Sequence, residues 1–336
     1  YYFKVDTEGK QLPYIDKIIS QQVEDVEAVN LKVLTGEVDF LRESTGLVKV
    51  PLYKENEEGG GFNTVLLDMH GDSSTLFLNM TYDDPVWQQL AQDVRFRQAL
   101  SHAMNRDEII ESIYYGFASY PLSTVCEENS TYDVDLANGM LDELGMTERD
   151  GDGFRMGPDG NPFSILVEHG AHAPDLTPVA ELLVEQMKDV GINLQIKRID
   201  PQLWDQRSNA NELQATVFWA HDQNGDNDRL MGNFGLFGRQ WNTWFTTGGS
   251  EGVEPPDWVQ EAIAMNKARW ESVAGGEEYN SFVDQGHQWQ QTNLPQITIV
   301  ENVKYPMIAS KRLRNVASAG YAIACNFAGE QLWFAE

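Results

Sequence analysis

The most regular pattern of apolar positions lies between residues 163 and 199. An apolar run over 163–168 predicts one strand, and alternating apolar and polar residues over 192–199 predict a second, half-buried strand. Between them, Thr177 followed by Pro178 is typical of a helix start. A stripe at helical spacing follows: Val179, Leu182, Leu183, Met187 and Val190. Strand, helix and strand in this order predict a βαβ unit with parallel strands and a right-handed crossover.

Further elements are predicted on both sides of this unit. Helices are predicted over 25–34, from Asp93 to Met104, and over 135–144, 258–270 and 277–291. Strands are predicted over 75–80, 215–220 and 296–300. Asp107 is predicted to cap another helix that carries three isoleucines. Residues 54–61 (KENEEGGG) combine charge and glycine, so we predict a loop or a domain boundary there.

The negative net charge of the chain excludes some classes of binding partner. Its 336 residues include 24 lysines and arginines and 52 acidic residues, which gives a net charge of −28. A chain this acidic repels phosphate backbones and anionic lipid, so we predict no nucleic-acid partner and no polybasic membrane contact. The acidic residues are spread along the chain, which indicates a solvated surface rather than an acidic tail.

Composition indicates an ordinary globular domain or two. Hydrophobic residues make up 41% and charged residues 23%, close to the average for such proteins. No stretch approaches the ~18 consecutive apolar residues that a membrane span needs. Two cysteines, Cys126 and Cys325, are too few for a disulfide framework and lack the spacing of a zinc site.

No motif indicates catalysis, a cofactor or a metal ion. Glycine-rich phosphate loops and the Gly-x-Ser-x-Gly elbow are absent. The run that begins at Asp150 resembles a calcium loop, but a phenylalanine and an asparagine occupy two ligand positions, so a glycine-rich hairpin is the better interpretation. His169 and His172 lie beside Glu168 without the spacing of a helical metal motif. We therefore predict a protein that is not an enzyme.

Aromatic residues provide the remaining candidate site. Trp219, Trp241, Trp244 and Phe245 lie close together in sequence, and Asp222 directly follows the strand predicted over 215–220. In open α/β sheets, ligands bind at the carboxyl ends of the strands, so these residues could line a ligand site. The alternatives are that the tryptophans belong to the core and that Asp222 only caps a turn.

Several segments resemble the extracellular solute-binding proteins of family 5, which serve ABC importers for peptides, nickel and, in some members, oligosaccharides. The most specific is residues 93–109 (DVRFRQALSHAMNRDEI), preceded by residues 76–79 (LFLN). Residues 12–16, 34–40 and 150–162 resemble other parts of the family sequence. Residues 219–222 (WAHD) resemble the Trp-x-x-Asp motif that presents an aspartate to the amino group of a peptide ligand.

The resemblance implies an α/β fold, namely a type II periplasmic-binding-protein-like lobe with a mixed sheet flanked by helices. Family members are longer, so it also implies that most of the N-terminal lobe is missing from this chain. Residues 1–72 would be a remnant of lobe one, residues 73–302 would form lobe two, and residues 303–336 would return to lobe one. A signal peptide, and a cysteine for lipid attachment, would lie upstream of Tyr1.

The resemblance further implies capture of oligopeptides between two lobes and delivery to ABC permease subunits, by a monomeric protein outside the cytoplasm. The residues predicted to contact ligand are Asp222, Trp219, His221, Trp241, Trp244, Phe245 and Asn79. The same role for oligosaccharides is the nearest alternative, and a glycan or peptide hydrolase or a ligand-free scaffold is more distant. The sequence does not decide whether Cys126 and Cys325 form a disulfide. The implied topology puts them in different lobes, and a bond between the lobes would hinder their motion.

Overall fold

The structure is a computed structural model that describes residues 4–23, 25–42, 45–69, 73–170, 175–220, 233–322 and 329–335. The chain forms two compact units. The first comprises Tyr1–His70 and Lys304–Glu336, and the second comprises Gly71–Val303.

The described elements are numbered along the chain. The α-helices are α1 (Val26–Leu34), α2 (Val50–Gly60), α3 (Pro85–Gln92), α4 (Val94–His102), α5 (Arg106–Ser112), α6 (Cys126–Ser130), α7 (Val134–Glu143), α8 (Leu176–Asp189), α9 (Pro201–Asn209), α10 (Phe234–Phe237), α11 (Arg239–Thr246), α12 (Asp257–Glu271) and α13 (Glu277–Asn293). The strands are β1 (Phe40–Leu41), β2 (Phe62–Met69), β3 (Ser73–Leu78), β4 (Ile165–Gly170), β5 (Leu194–Ile199), β6 (Ala215–Ala220), β7 (Ile297–Thr298), β8 (Lys304–Ser310), β9 (Leu313–Arg314), β10 (Tyr321–Ala322) and β11 (Trp333–Phe334).

The first unit is built on a four-stranded sheet in the order β1-β8-β2-β10. Strands β2 and β8 pair antiparallel over seven residues, from Phe62 opposite Ser310 to Asp68 opposite Lys304. A core of Val33, Tyr53, Phe62 and Ile308 fixes helices α1 and α2 against this sheet.

The loop predicted over residues 54–61 is wrong, because most of this segment belongs to helix α2. Tyr53 is fully buried and anchors the helix, while the charged residues that follow face solvent. Gly61 ends the helix in the left-handed conformation, with φ of 65°. A Cβ at Gly60 would lie 2.5 Å from the ring of Phe62 and 2.8 Å from the carbonyl oxygen of Leu34, so there is no room for it. Glycine here marks a helix end and a tight contact, not a linker.

The second unit contains a five-stranded mixed sheet in the order β5-β4-β6-β3-β7. Strands β4 and β5 run parallel in register from Ile165 opposite Leu194, and helix α8 joins them, so the predicted βαβ unit is confirmed. Helix α8 begins at Leu176, one residue before the predicted cap at Thr177. Strand β3 pairs antiparallel with both β6 and β7, which makes the sheet mixed.

The helical stripe after Asp93 forms a buried face of the second unit. Phe96, Ala99, Leu100, Ala103 and Met104 are all fully buried, as their spacing predicts. Asp93 caps helix α4 through the N–H of Arg95.

Asn105, not Asp107, caps helix α5. Its side chain accepts a hydrogen bond from the N–H of Glu108, whereas Asp107 lies inside the first turn. Arg106, beside this cap, is fully buried and donates to the carbonyl oxygens of Ile299 and Ser101.

Within the described ranges, no helix is both long enough and apolar enough to cross a bilayer. The same residues contain no group of three or more histidine, cysteine or acidic side chains that could hold a metal ion. Cys126 carries a free thiol, and Cys325 lies outside the described residues.

Candidate functional site

The predicted ligand site lies at the edge of the second sheet where the parallel strands β4 and β6 end. These strands finish at Gly170 and Ala220, and their carboxyl ends share one edge because the strands are parallel. His221 and Asp222, which follow β6, lie outside the described residues, as does residue 172 after β4. Their part in a ligand site stays a prediction.

Trp219 is the predicted site residue that the structure describes at this edge. It is partly exposed, and its ring centroid lies 5.6 Å from that of Phe218. Its partner on the antiparallel strand β3 is Ser74. Directly opposed residues share a face of the sheet, so the Trp219 and Ser74 side chains are neighbours.

A buried polar network adjoins Trp219 on that face. The hydroxyl groups of Ser74 and Tyr114 lie 2.6 Å apart, and the Tyr114 hydroxyl donates to Oδ2 of Asp175 at 2.9 Å. Burial and the neighbouring carboxylate hold the pKa of Tyr114 well above its usual value, so the hydroxyl keeps its proton. The network connects the start of helix α8 to strand β3. It also places the carboxylate of Asp175 at the sheet edge where β4 and β6 end.

Sequence reasoning missed this network. Ser74 and Asp175 are 101 residues apart, and a single serine, tyrosine or aspartate carries no local signal. Asp175 lies just before the predicted helix, but the sequence pattern predicts Thr177 as its cap.

His169 and Glu168 point to opposite faces of β4, as neighbours on a strand must. His169 is fully buried, its Nε2 has no hydrogen-bond partner among the described residues, and burial lowers its pKa, so the ring is neutral. Glu168 is also buried and is paired with Lys197 at 3.1 Å and Arg207 at 2.8 Å. The two side chains therefore do not converge on a metal site.

The predicted aromatic residues of helix α11 divide into buried and exposed positions. Trp241 is only 3% exposed and packs edge-on against Trp258, with ring centroids 5.9 Å apart. Trp244 is partly exposed, and Phe245 is 42% exposed with its ring 6.4 Å from Phe234. Trp244 and Phe245 therefore offer aromatic surface, whereas Trp241 belongs to the core.

Asn79 lies away from Trp219, at the opposite end of β3. Asn79 is five positions after Ser74, which corresponds to about 16 Å along an extended strand. Its Nδ2 donates to the side-chain oxygen of Asn211 at 2.8 Å and to the carbonyl oxygen of Leu213 at 2.9 Å. Its side-chain oxygen accepts from Thr81 Oγ1 at 2.8 Å. Asn79 is buried, and its amide joins the end of β3 to neighbouring loops.

Comparison with known proteins agrees with this architecture. A putative ABC transporter peptide-binding protein of Brucella ovis is 25% identical over 245 residues, which is 68% of this chain and 41% of that protein. The periplasmic alpha-galactoside-binding protein of Rhizobium meliloti is 24% identical, and the alignment covers 99% of this chain and 51% of that protein. The chain thus spans about half the length of these curated relatives, or less.

A solved structure of the oligopeptide-binding protein OppA superimposes with a TM-score of 0.69 at 26% identity, covering 99% of this chain and 58% of that chain. Similarity to this periplasmic binding protein confirms the predicted type II lobe with a mixed sheet flanked by helices. The family model of the bacterial extracellular solute-binding proteins, family 5 Middle, matches residues 1–242. The chain therefore belongs to the bacterial extracellular solute-binding proteins of family 5.

Proposed function

We propose that this chain is the ligand-facing part of an extracytoplasmic solute-binding protein that captures oligopeptides for an ABC importer. In this proposal Gly71–Val303 is lobe two, and the two flanking segments belong to lobe one. Binding between the lobes would be followed by delivery to the permease subunits, without chemical change to the peptide. Closure of two lobes around a ligand is a known hinge motion of periplasmic binding proteins.

The observation that carries the proposal is the edge where β4 and β6 end. A partly exposed tryptophan and the hydrogen-bonded carboxylate of Asp175 lie at this edge. Asp222 follows β6 in the sequence and stays a prediction. Carboxylates beside an aromatic surface suit a ligand that has an ammonium group and side chains of mixed polarity. The Brucella relative is named as a putative peptide-binding protein and OppA as an oligopeptide-binding protein, which supports peptide as the ligand.

Each predicted residue has a proposed role. Asp222 binds the ammonium group, and Trp219 and His221 contact the adjoining part of the peptide. Trp244 and Phe245 offer exposed aromatic surface for side chains. Trp241 and Asn79 are buried, so their part is to hold helix α11 and the end of β3 in position. Indeed, the side-chain oxygen of Asn79 accepts from the N–H of Arg239 at the start of α11.

The Asp222→Asn variant of the full-length protein tests the proposal. A hydrogen bond to a charged group contributes about 1.5–3 kcal/mol, so we expect peptide affinity to fall by roughly 10- to 150-fold in isothermal titration calorimetry. Glu261→Gln, an exposed acid on α12, is the matched control and should leave affinity unchanged. Wild-type affinity of Asp222→Asn, with an unchanged melting temperature, would remove Asp222 from the site.

Oligosaccharide capture is the second candidate function. Its support is the alpha-galactoside-binding relative, whose alignment covers 99% of this chain. Partly exposed Trp244 and Phe245 also suit stacking against sugar rings. A thermal-shift screen of peptides against oligosaccharides separates the two ligand classes. Trp244→Ala is the informative variant, because Trp241→Ala would also damage the core.

The location and assembly of the full-length protein are part of the same proposal. Since the family is described as extracellular, we expect export by a signal peptide and a monomeric protein, with lipid attachment as a further option. Mass spectrometry of the exported protein would identify its mature N-terminus and any lipid, and light scattering would report its oligomeric state.

A further inference from the structure

The second unit contains a cavity of about 320 Å³ at the sheet edge opposite the proposed peptide site. Its walls come from the segment after β3, helix α3, the 157–162 turn, strand β4, helix α9 and the loop before β6. Ser164 and Gln214, which line it, precede β4 and β6, whereas the peptide site follows the ends of these strands. Ligands of proteins occupy cavities of about 300–1,000 Å³, so the volume is sufficient for a small molecule.

Part of the cavity wall is apolar. Val86, Pro162 and Leu166 are partly or fully exposed and present aliphatic surface, and the rings of Trp87 and Phe163 stack behind them with centroids 6.3 Å apart. The stacked rings are buried, so they make the wall rigid. This surface suits the hydrocarbon body of a ligand.

One side of the cavity is an ion-pair network around buried Glu168. Arg207 donates to Glu168 Oε2 from Nε at 3.1 Å and from Nη2 at 2.8 Å, and to Glu212 Oε2 at 3.1 Å. These bonds commit the guanidinium to the protein's own carboxylates. The network therefore offers no free cation to an anionic ligand.

Hydrogen-bonding groups at the mouth of the cavity remain available. Asp84 uses Oδ1 to cap helix α3 through the N–H of Trp87 at 2.9 Å, and its Oδ2 has no partner among the described residues. Oε1 of Glu212 and the hydroxyl of Tyr82 also have no hydrogen-bond partner within the described part of the chain. The lining contains four carboxylates and one guanidinium: Asp84, Asp159, Glu168, Glu212 and Arg207. Lys197, which is not part of the lining, also pairs with Glu168 at 3.1 Å.

We propose that this cavity binds a small organic cation, with its apolar body against the wall of Val86, Pro162 and Leu166 and its ammonium group between Asp84 and Glu212. The Tyr82 hydroxyl would accept a further hydrogen bond from the ammonium group. Apolar surface sets the shape of the ligand, and the uncommitted carboxylate oxygens set its charge. The site is independent of peptide capture, because it lies at the other end of the strands.

Titration calorimetry of the full-length protein with phenethylamine tests the inference. N-acetylphenethylamine is the neutral analogue, and hydrocinnamate is the anionic one. We expect saturable binding of phenethylamine and at least tenfold weaker binding of both analogues. Asp84→Asn keeps an efficient helix cap. Combined with Glu212→Gln, it should raise the Kd of phenethylamine by about tenfold, allowing for solvent exposure of the two acids.

Two further variants separate this site from other acidic surface and from the peptide site. Glu261→Gln and Asp222→Asn should leave the Kd of phenethylamine unchanged, and the double variant should leave peptide affinity unchanged. Equal binding of the three probes, no saturation up to millimolar concentration, or a double variant that behaves as wild type would each overturn the inference. Loss of amine binding in Asp222→Asn would also overturn it, since the amine would then occupy the peptide site.

Discussion

At the scale of single residues, the second unit buries charge and surrounds it with hydrogen bonds. The carboxylate of Glu301 is 4% exposed and accepts from the N–H groups of Ser123 at 3.3 Å and Thr124 at 3.2 Å, and from both hydroxyl groups. Burial still raises its pKa above the ordinary value, because the hydrogen bonds offset only part of the lost hydration. Glu301 thus fixes the loop around Ser123 to the end of the second unit.

The raised pKa of Glu301 predicts a pH dependence of stability with a definite sign. The folded state holds this proton to higher pH than the unfolded state, so the contribution of Glu301 is complete below pH ~4.5 and is lost as pH rises through the folded pKa. The free energy of unfolding of wild type minus that of Glu301→Gln should therefore be larger at pH 4 than at pH 7. Urea unfolding of both proteins at the two pH values measures this, and a constant difference would contradict it.

At the scale of elements, helix α2 shows how one buried side chain can hold a polar segment in place. Tyr53 donates to the side-chain oxygen of Asn30 on α1 at 2.5 Å. Glu57 accepts from Lys54 at 2.8 Å and from the N–H of Thr64 at 2.7 Å. The side chains of α2 thus join it to α1 and to β2, although most of its residues face solvent.

Two glycines at the end of α2, Gly59 and Gly61, should respond oppositely to substitution by alanine. Gly59 is exposed, helical and has nothing within 4 Å of a new Cβ, so Gly59→Ala should stabilise the protein by about 0.5–1 kcal/mol. Gly61 has φ of 65°, so Gly61→Ala should destabilise it by about 1–2 kcal/mol. Denaturant unfolding of both variants measures the free energies. Equal effects would show that α2 does not end as described.

At the scale of the whole molecule, the dominant property is a net charge of −28. Mutual repulsion among surface carboxylates disfavours the compact state. The repulsion is screened over about 10 Å in 0.1 M salt and about 3 Å in 1 M salt. Stability should therefore depend strongly on ionic strength.

Added potassium chloride should raise the melting temperature. From 0.1 M to 1 M we expect an increase of roughly 5 °C, which corresponds to a few kcal/mol for a chain of this size. Differential scanning fluorimetry measures the shift. A melting temperature that is constant or falls with potassium chloride would show that surface repulsion does not limit stability.

The sequence by itself determined the elements whose residues repeat with a clear period. Three features depend only on residues within about 20 positions of one another in the sequence. They are the strands on either side of α8, the buried stripe of α4 and the family resemblance of residues 93–109. Such patterns are readable because a buried face recurs every two or 3.6 residues. Asp222 and His221 came from the same local reasoning, and they stay predictions.

Only the tertiary structure decided which side chains meet across the chain. It put Trp241 into the core while leaving Phe245 exposed, joined Ser74 to Asp175, and assembled the cavity beside Glu168 from six segments. The helical identity of residues 54–60 also depended on long-range contacts, through the burial of Tyr53. These arrangements depend on packing between distant segments. A local pattern specifies which face of an element is buried, but it does not specify which distant residue covers that face.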